Sequence, residues 1–192
     1  MNPPKDEVWF YSTKECPYGV FSNFWECKIV IDGVTYPHSE AYYQAEKFRG
    51  EGASEKDLEY ADLISKQNTG NKSAILARQK KPVQNYPWAK KLWLTIQAYH
   101  DVKLRSDWED VKDDVMRKAV YFKFKQNPKL EKILLSTGNY KIFEHTHRDS
   151  YWADGHPKND PTVHGDGKNM LGVILEEVRD ILSGKRDVYD FL

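Results

Sequence analysis

A run of apolar residues near the C-terminus constrains the fold more than any other feature. Leu171, Ile174, Leu175, Val178, Ile181 and Leu182 recur at three- and four-residue steps, and Gly184 follows as a stop. This spacing predicts an amphipathic helix whose apolar stripe must be buried against another layer. The N-terminal part of the chain offers one. Val8-Trp9-Phe10-Tyr11 reads as a strand, and Cys27-Lys28-Ile29-Val30-Ile31 with Val34-Thr35-Tyr36 reads as a hairpin closed by a type I′ turn at Asp32-Gly33 and ended by Pro37. Helical patterns follow. One runs from Ser39 to about Arg49, stopped by Gly50 and Gly52, and one is capped by Ser54 and buries Leu58, Ala61 and Ile64. After a break at Thr69-Gly70, Ser106-Asp107-Trp108-Glu109 reads as a capping box opening a long helix that buries Val111, Val115, Ala119 and Phe122 and stops at Asn127-Pro128. A short helix through Leu130–Leu135 follows. Early strands with helices dominating afterwards predict an α+β fold: one compact, mostly helical domain over 7–185 with a small N-terminal sheet, and 1–6 and 186–192 as flexible or docked termini.

The composition suits a buried core. Hydrophobic residues make up 40% and aromatics 14% of 192 residues, which outweighs a mean hydropathy of −0.77 in arguing for a packed globule. No apolar run approaches the roughly 20 residues of a spanning helix, and no signal-peptide core follows Met1-Asn2-Pro3-Pro4-Lys5-Asp6, so no membrane partner is expected. Cys16 and Cys27 lack metal-type spacing and read as reduced thiols of a cytoplasmic or nuclear compartment. His145 and His147 alternate on a candidate strand with His156 and His164 nearby, but no Cys or carboxylate stands at ligand spacing beside them. Neither a metal nor a cofactor is therefore expected.

The 29 basic and 29 acidic residues balance, which disfavours a surface devoted to a phosphate backbone. The distribution is uneven. Between Asn71 and Arg105 eight basic residues stand against Asp101 alone, with Tyr86, Trp88, Trp93 and Tyr99 interleaved. Cations beside aromatic faces suit unpaired bases, and a solvated helical surface over its own aromatic core has the same composition.

Chemistry concentrates in two segments. In Ser39-Glu40-Ala41-Tyr42-Tyr43-Gln44-Ala45-Glu46-Lys47-Phe48, Glu40, Gln44 and Lys47 stand at i, i+4 and i+7, so a helix aligns an acid, an amide and an amine. A solvated helix face would carry the same types. The second is Asp149-Ser150-Tyr151-Trp152-Ala153-Asp154-Gly155, a carboxylate beside a tryptophan among turn residues. Cleavage of a ribosyl N–C1′ bond passes through an oxocarbenium-like state, which one carboxylate stabilises while a second assists the leaving base or water. Glu40 and Asp154 suit those roles. Lys47, if burial lowers its pKa, offers instead an amine that attacks C1′ and holds the opened sugar as a Schiff base. Trp108 and Trp152 suit stacking on a heterocycle, and Asn23 suits ribose hydroxyls or base edges. Gly165-Asp166-Gly167-Lys168-Asn169-Met170-Leu171-Gly172 fits neither a dinucleotide fingerprint nor a Walker loop. It runs from a loop into a helix N-terminus, a setting that either binds phosphate or simply enters the helix.

These blocks, with Phe10-Tyr11-Ser12 and Phe21-Ser22-Asn23-Phe24, make the chain resemble the YbiA-like NADAR family over most of its length. The resemblance implies N-glycosidase activity, on phosphorylated riboflavin-pathway intermediates in some members and on ADP-ribosylated guanine in others. It implies Glu40, Lys47 and Asp154 with Trp108 and Trp152 as the catalytic set, and Ser22, Asn23, Arg78 and Asn169 as ligand contacts; Gln44 and Gly167 join them as substrate-binding candidates. Two departures stand out. The stretch 80–105 is longer than in the compact bacterial form, and Ala153 stands where Gly is common. The basic, aromatic insertion favours a substrate attached to single-stranded nucleic acid, ADP-ribosyl-guanine, over a free riboflavin intermediate. A module that binds ADP-ribose without turnover would need many of the same groups.

Overall fold

Strand β1 (Glu7–Phe10) of the computed structural model lies parallel to a late strand, β4 (Lys141–Glu144), with Glu7 opposite Lys141 and Phe10 opposite Glu144. The structure describes residues 5–82, 87–156 and 163–188. It divides into two compact units, one of residues 1–25 and 116–192 and one of residues 26–115. The architecture is α+β and dominated by helices.

In the first unit the C-terminal stripe forms helix α7 (Met170–Leu182), which packs on β4 and on α6 (Pro128–Leu135). Leu171, Ile174, Leu175 and Val178 are buried as the spacing predicts, and Gly184 ends the helix at φ +76°. Gly172 makes the packing possible, since a Cβ there would lie 1.9 Å from the Ile142 carbonyl oxygen. Strand β4 escapes a sequence reading because it is four residues long with one fully buried position. It ends before His145, so His145 and His147 do not alternate along a strand as expected; they fall in the following turn region.

The second unit opens with the hairpin of β2 (Ile29–Ile31) and β3 (Val34–Tyr36). Asp32 and Gly33 both take positive φ, 50° and 78°, as a type I′ turn requires. Helix α1 (Ser39–Glu46) is shorter than expected, ending at Glu46 rather than Arg49 because the Phe48 and Arg49 amides turn back to Ala45 and Glu46 in a tightened last turn. Helix α2 (Glu55–Ser65) starts in a full capping box of Ser54 and Asp57. Its buried face is Tyr60, Ala61 and Ile64, whereas Leu58 is 46% exposed, contrary to the expected stripe. Thr69-Gly70 is not only a break: Thr69 is the N-cap residue of α3 (Gly70–Arg78). Helix α4 (Ala89–Ala98) inserts Leu92 and Ile96 into a core with Phe48, Tyr60, Ile64, Leu76 and Val102.

The division between the units falls inside α5 (Trp108–Lys125). The expected capping box at Ser106 is absent. The Val111 amide turns back to the Asp107 carbonyl, and the Asp107 carboxylate is gripped by Arg105 at 2.6 and 2.8 Å. The buried residues of α5 are Trp108, Val115, Met116, Ala119, Val120, Lys123 and Phe124, so Val115 and Ala119 are buried as expected while Val111 and Phe122 are only half-buried.

Candidate active site

Helix α1 carries the first cluster. His38 caps it: Nδ1 accepts the Ala41 N–H at 3.0 Å, and Nε2 lies 3.1 Å from the Gln67 carbonyl. A carbonyl only accepts, so the buried imidazole is held with its proton on Nε2. This cap places Glu40 in the first turn, where the positive end of the helix favours a carboxylate. Glu40 is buried and accepts a hydrogen bond from Gln44 Nε2 at 2.8 Å. Lys47 follows the helix in αR geometry, φ −59° and ψ −23°, so the face of Glu40, Gln44 and Lys47 stays intact beyond the last regular residue.

Trp108 reaches this face through a backbone clamp. The Arg105 N–H donates to the Lys47 carbonyl at 2.8 Å, Arg105 Nη1 donates to the Arg49 carbonyl, and its other nitrogens hold Asp107. Trp108 is thereby buried edge-on to Tyr43, ring centres 5.1 Å apart, and the Lys47 Nζ lies 5.4 Å from both centres. An amine between two aromatic faces keeps some cation–π attraction but loses water. Burial accordingly holds the Lys47 amine below the ordinary lysine value; Arg78, exposed at the end of α3, pushes the same way, against the pull of Glu40 and Glu109. The sequence reading missed Tyr43 and Arg105. The i, i+4 spacing of Tyr43 and Lys47 was visible, but a tyrosine in an apolar helix reads as core.

The second cluster lies in the other unit. Asp154 is fully buried, and both carboxylate oxygens are taken: Oδ1 by the Thr146 and His156 amides at 3.1 Å each, Oδ2 by His145 Nδ1 at 2.5 Å and by the Gly165 amide at 3.4 Å. Such a carboxylate organises a loop. His145 stacks on Trp9, ring centres 4.5 Å apart, and on His156, 5.6 Å apart. Asp149 accepts the Tyr151 and Trp152 amides, and the half-buried Trp152 ring meets Tyr151 edge-on.

Asn169 and Gly167 build the same loop. Asn169 sits at φ +51° and uses its side chain on β4, accepting from the Glu144 amide at 3.0 Å and donating to the Ile142 carbonyl at 2.7 Å. The Met170 and Leu171 amides at the start of α7 donate to Tyr151 and Trp152 carbonyls, so these helix-entry donors are already engaged. A Cβ at Gly167 would lie 2.5 Å from the Ala153 carbonyl oxygen. Ser22 and Asn23, both buried, follow a 3-10 turn at Tyr18–Phe21. The buried Lys123 amine donates to the Ser22 carbonyl at 2.7 Å, and Asn23 Nδ2 donates to Met116 Sδ. Lys123 reads in the sequence as one more surface lysine.

The lysines of the 80–105 stretch, Lys80, Lys81, Lys90 and Lys91, are exposed. Its aromatics are engaged otherwise: Trp88, Trp93 and Tyr99 pack on the core of their own unit, and Tyr99 stacks on Tyr60. Tyr86 lies outside the described residues. No helix among the described residues is long and apolar enough to cross a membrane.

A family model described as the NADAR domain matches residues 9–183. The N-glycosidase YbiA of Escherichia coli is 38% identical over 175 residues, spanning 91% of this chain and 87% of that protein. A riboflavin biosynthesis protein of Vibrio vulnificus is 33% identical over 181 residues, 94% of this chain and 40% of that one. The NMR structure of E. coli YbiA superposes with a TM-score of 0.67 at 36% identity, covering 94% of this chain and 88% of that one.

Proposed function

The chain belongs to the NADAR domain family and is a hydrolase acting on N-glycosyl bonds, and on that premise we propose that Lys47 is its nucleophile, Glu40 its electrostatic partner and a phosphorylated ribosyl N-glycoside its substrate. The observation that carries this is the Lys47 amine, held below its ordinary pKa between Tyr43 and Trp108 on the helix face of Glu40. A neutral amine attacks C1′ as the bond to the base breaks and the base leaves with a proton. The ribose ring then opens to an imine between C1′ and Nζ, and water hydrolyses that imine, releasing the sugar aldehyde and the free amine. The Glu40 carboxylate opposes the positive charge that develops at C1′ and on the imine nitrogen. Trp108 supplies an aromatic edge for the leaving heterocycle. Asp154 serves by positioning, since its oxygens hold the loop and His145.

For the base, a free heterocycle of the riboflavin-intermediate type is favoured, because Trp88, Trp93 and Tyr99 are used in packing rather than held out for stacking on a strand. The name of the Vibrio relative points the same way. ADP-ribosyl-guanine on nucleic acid is the second reading, and it rests on the exposed Lys80, Lys81, Lys90 and Lys91. Incubation with phosphorylated riboflavin intermediates and, separately, with ADP-ribosylated guanine as mononucleoside and as oligonucleotide tests the proposal, with free base and sugar resolved by chromatography. Base release from the riboflavin intermediates is expected. Release from the oligonucleotide alone transfers the assignment to the second reading, and release from none of them overturns the proposal.

A further inference from the structure

The Gln44 amide is locked in one orientation. Its Nε2 donates to the Glu40 carboxylate, which as an acceptor cannot face the amide oxygen, so Oε1 must point the other way. That oxygen is buried and has no hydrogen-bond partner among the described residues. A buried acceptor left unpaired is costly to a fold, and a bound molecule that supplies a donor removes that cost. Gln44 as a whole is 7% exposed.

We propose that Gln44 Oε1 accepts a hydroxyl on the carbon next to the one attacked, the ribose 2′-hydroxyl, and so selects ribosyl over 2′-deoxyribosyl N-glycosides. This rests on the reading that C1′ is brought to Glu40 and Lys47. The Gln44 amide touches the Glu40 carboxylate through Nε2 at 2.8 Å, so a sugar with C1′ at that carboxylate has its 2′-hydroxyl beside the same amide. An acceptor is the suitable partner there. As positive charge grows at C1′ the adjacent hydroxyl becomes a better donor, and hydrogen bonds to it strengthen toward the transition state. Lys47, half-buried, stands one turn further along the same face.

Calorimetric titration of the wild-type protein with ribose 5-phosphate and with 2-deoxyribose 5-phosphate is the test, repeated on Gln44→Met, which keeps length and removes the acceptor. The expected result is about a tenfold preference for the ribose compound, the size of one neutral hydrogen bond, that falls to near unity in the variant. No preference in the wild type, no measurable binding of ribose 5-phosphate, or a variant that weakens both sugars equally overturns the inference. The wild-type comparison stands even where the variant fails to fold. Base release followed alongside separates the two claims: a sugar preference without turnover of any N-glycoside sinks the reaction but not the sugar contact.

Discussion

His145 Nδ1 donates to Asp154 Oδ2 at 2.5 Å, and three backbone amides complete the shell of that carboxylate. The pair is buried, with the imidazole stacked on Trp9. A carboxylate so fully engaged acts by holding what surrounds it.

Asp154→Asn should therefore cost stability as well as activity. The amide cannot accept at every place the carboxylate does, and one amide donor is left facing backbone N–H groups. The loss is expected at about 3 kcal/mol in urea unfolding. An unchanged midpoint together with lost turnover would instead make Asp154 a group acting directly on substrate.

Glu40→Gln should show the opposite balance. The substitution keeps volume and the link to Gln44 while removing the charge opposite C1′, so kcat falls by about 100-fold or more with the melting temperature nearly unchanged. A variant that retains most of its activity removes Glu40 from the mechanism.

Lys47→Met should abolish turnover yet raise stability near neutral pH. The folded-state pKa is depressed by burial below 10.5, so between that depressed value and 10.5 the unfolded chain binds more protons than the folded one. Wild-type stability accordingly rises with pH across this window, and below it the buried charge carries its full penalty. Replacement by methionine is expected to add about 1 kcal/mol, roughly 3 °C, at neutral pH, and the gain should shrink as pH climbs toward 10.5. A gain independent of pH would show that packing, not charge, is responsible. The same depression predicts that kcat/KM in the wild type rises with pH along a limb set by Lys47, displaced below the ordinary lysine value.

Much of the fold was legible because it rests on short-range rules. The 3.6-residue stripe of α7, the type I′ turn at Asp32-Gly33 and the Ser54 cap each need only a few neighbouring residues. Strand β4 was not legible, since its pairing partner β1 lies more than a hundred residues away. The site divides along the same line. Glu40, Gln44 and Lys47 share a helix face that spacing alone reveals, whereas the arrival of Trp108 beside Lys47 depends on the Arg105 amide finding the Lys47 carbonyl. Asp154 illustrates a further limit: residue type announces a carboxylate, whereas the donors gathered around it appear only in the fold.

Salt dependence should be shallow for the favoured substrate. With no strand to neutralise, KM for a phosphorylated riboflavin intermediate is expected to change by less than about threefold between roughly 50 and 200 mM salt. A steep rise confined to an ADP-ribosylated oligonucleotide, and flattened by replacing Lys80, Lys81, Lys90 and Lys91 with alanine, would support the nucleic-acid reading instead.

Trapping the covalent intermediate tests the central claim most directly. If the Lys47 amine attacks C1′ and the ring opens, borohydride added during turnover reduces the imine to a stable secondary amine. Intact-protein mass spectrometry should then show one sugar phosphate added per chain, and peptide mapping should place it on Lys47, with no adduct in Lys47→Met. Active enzyme that yields no adduct, or one on a different lysine, contradicts the account.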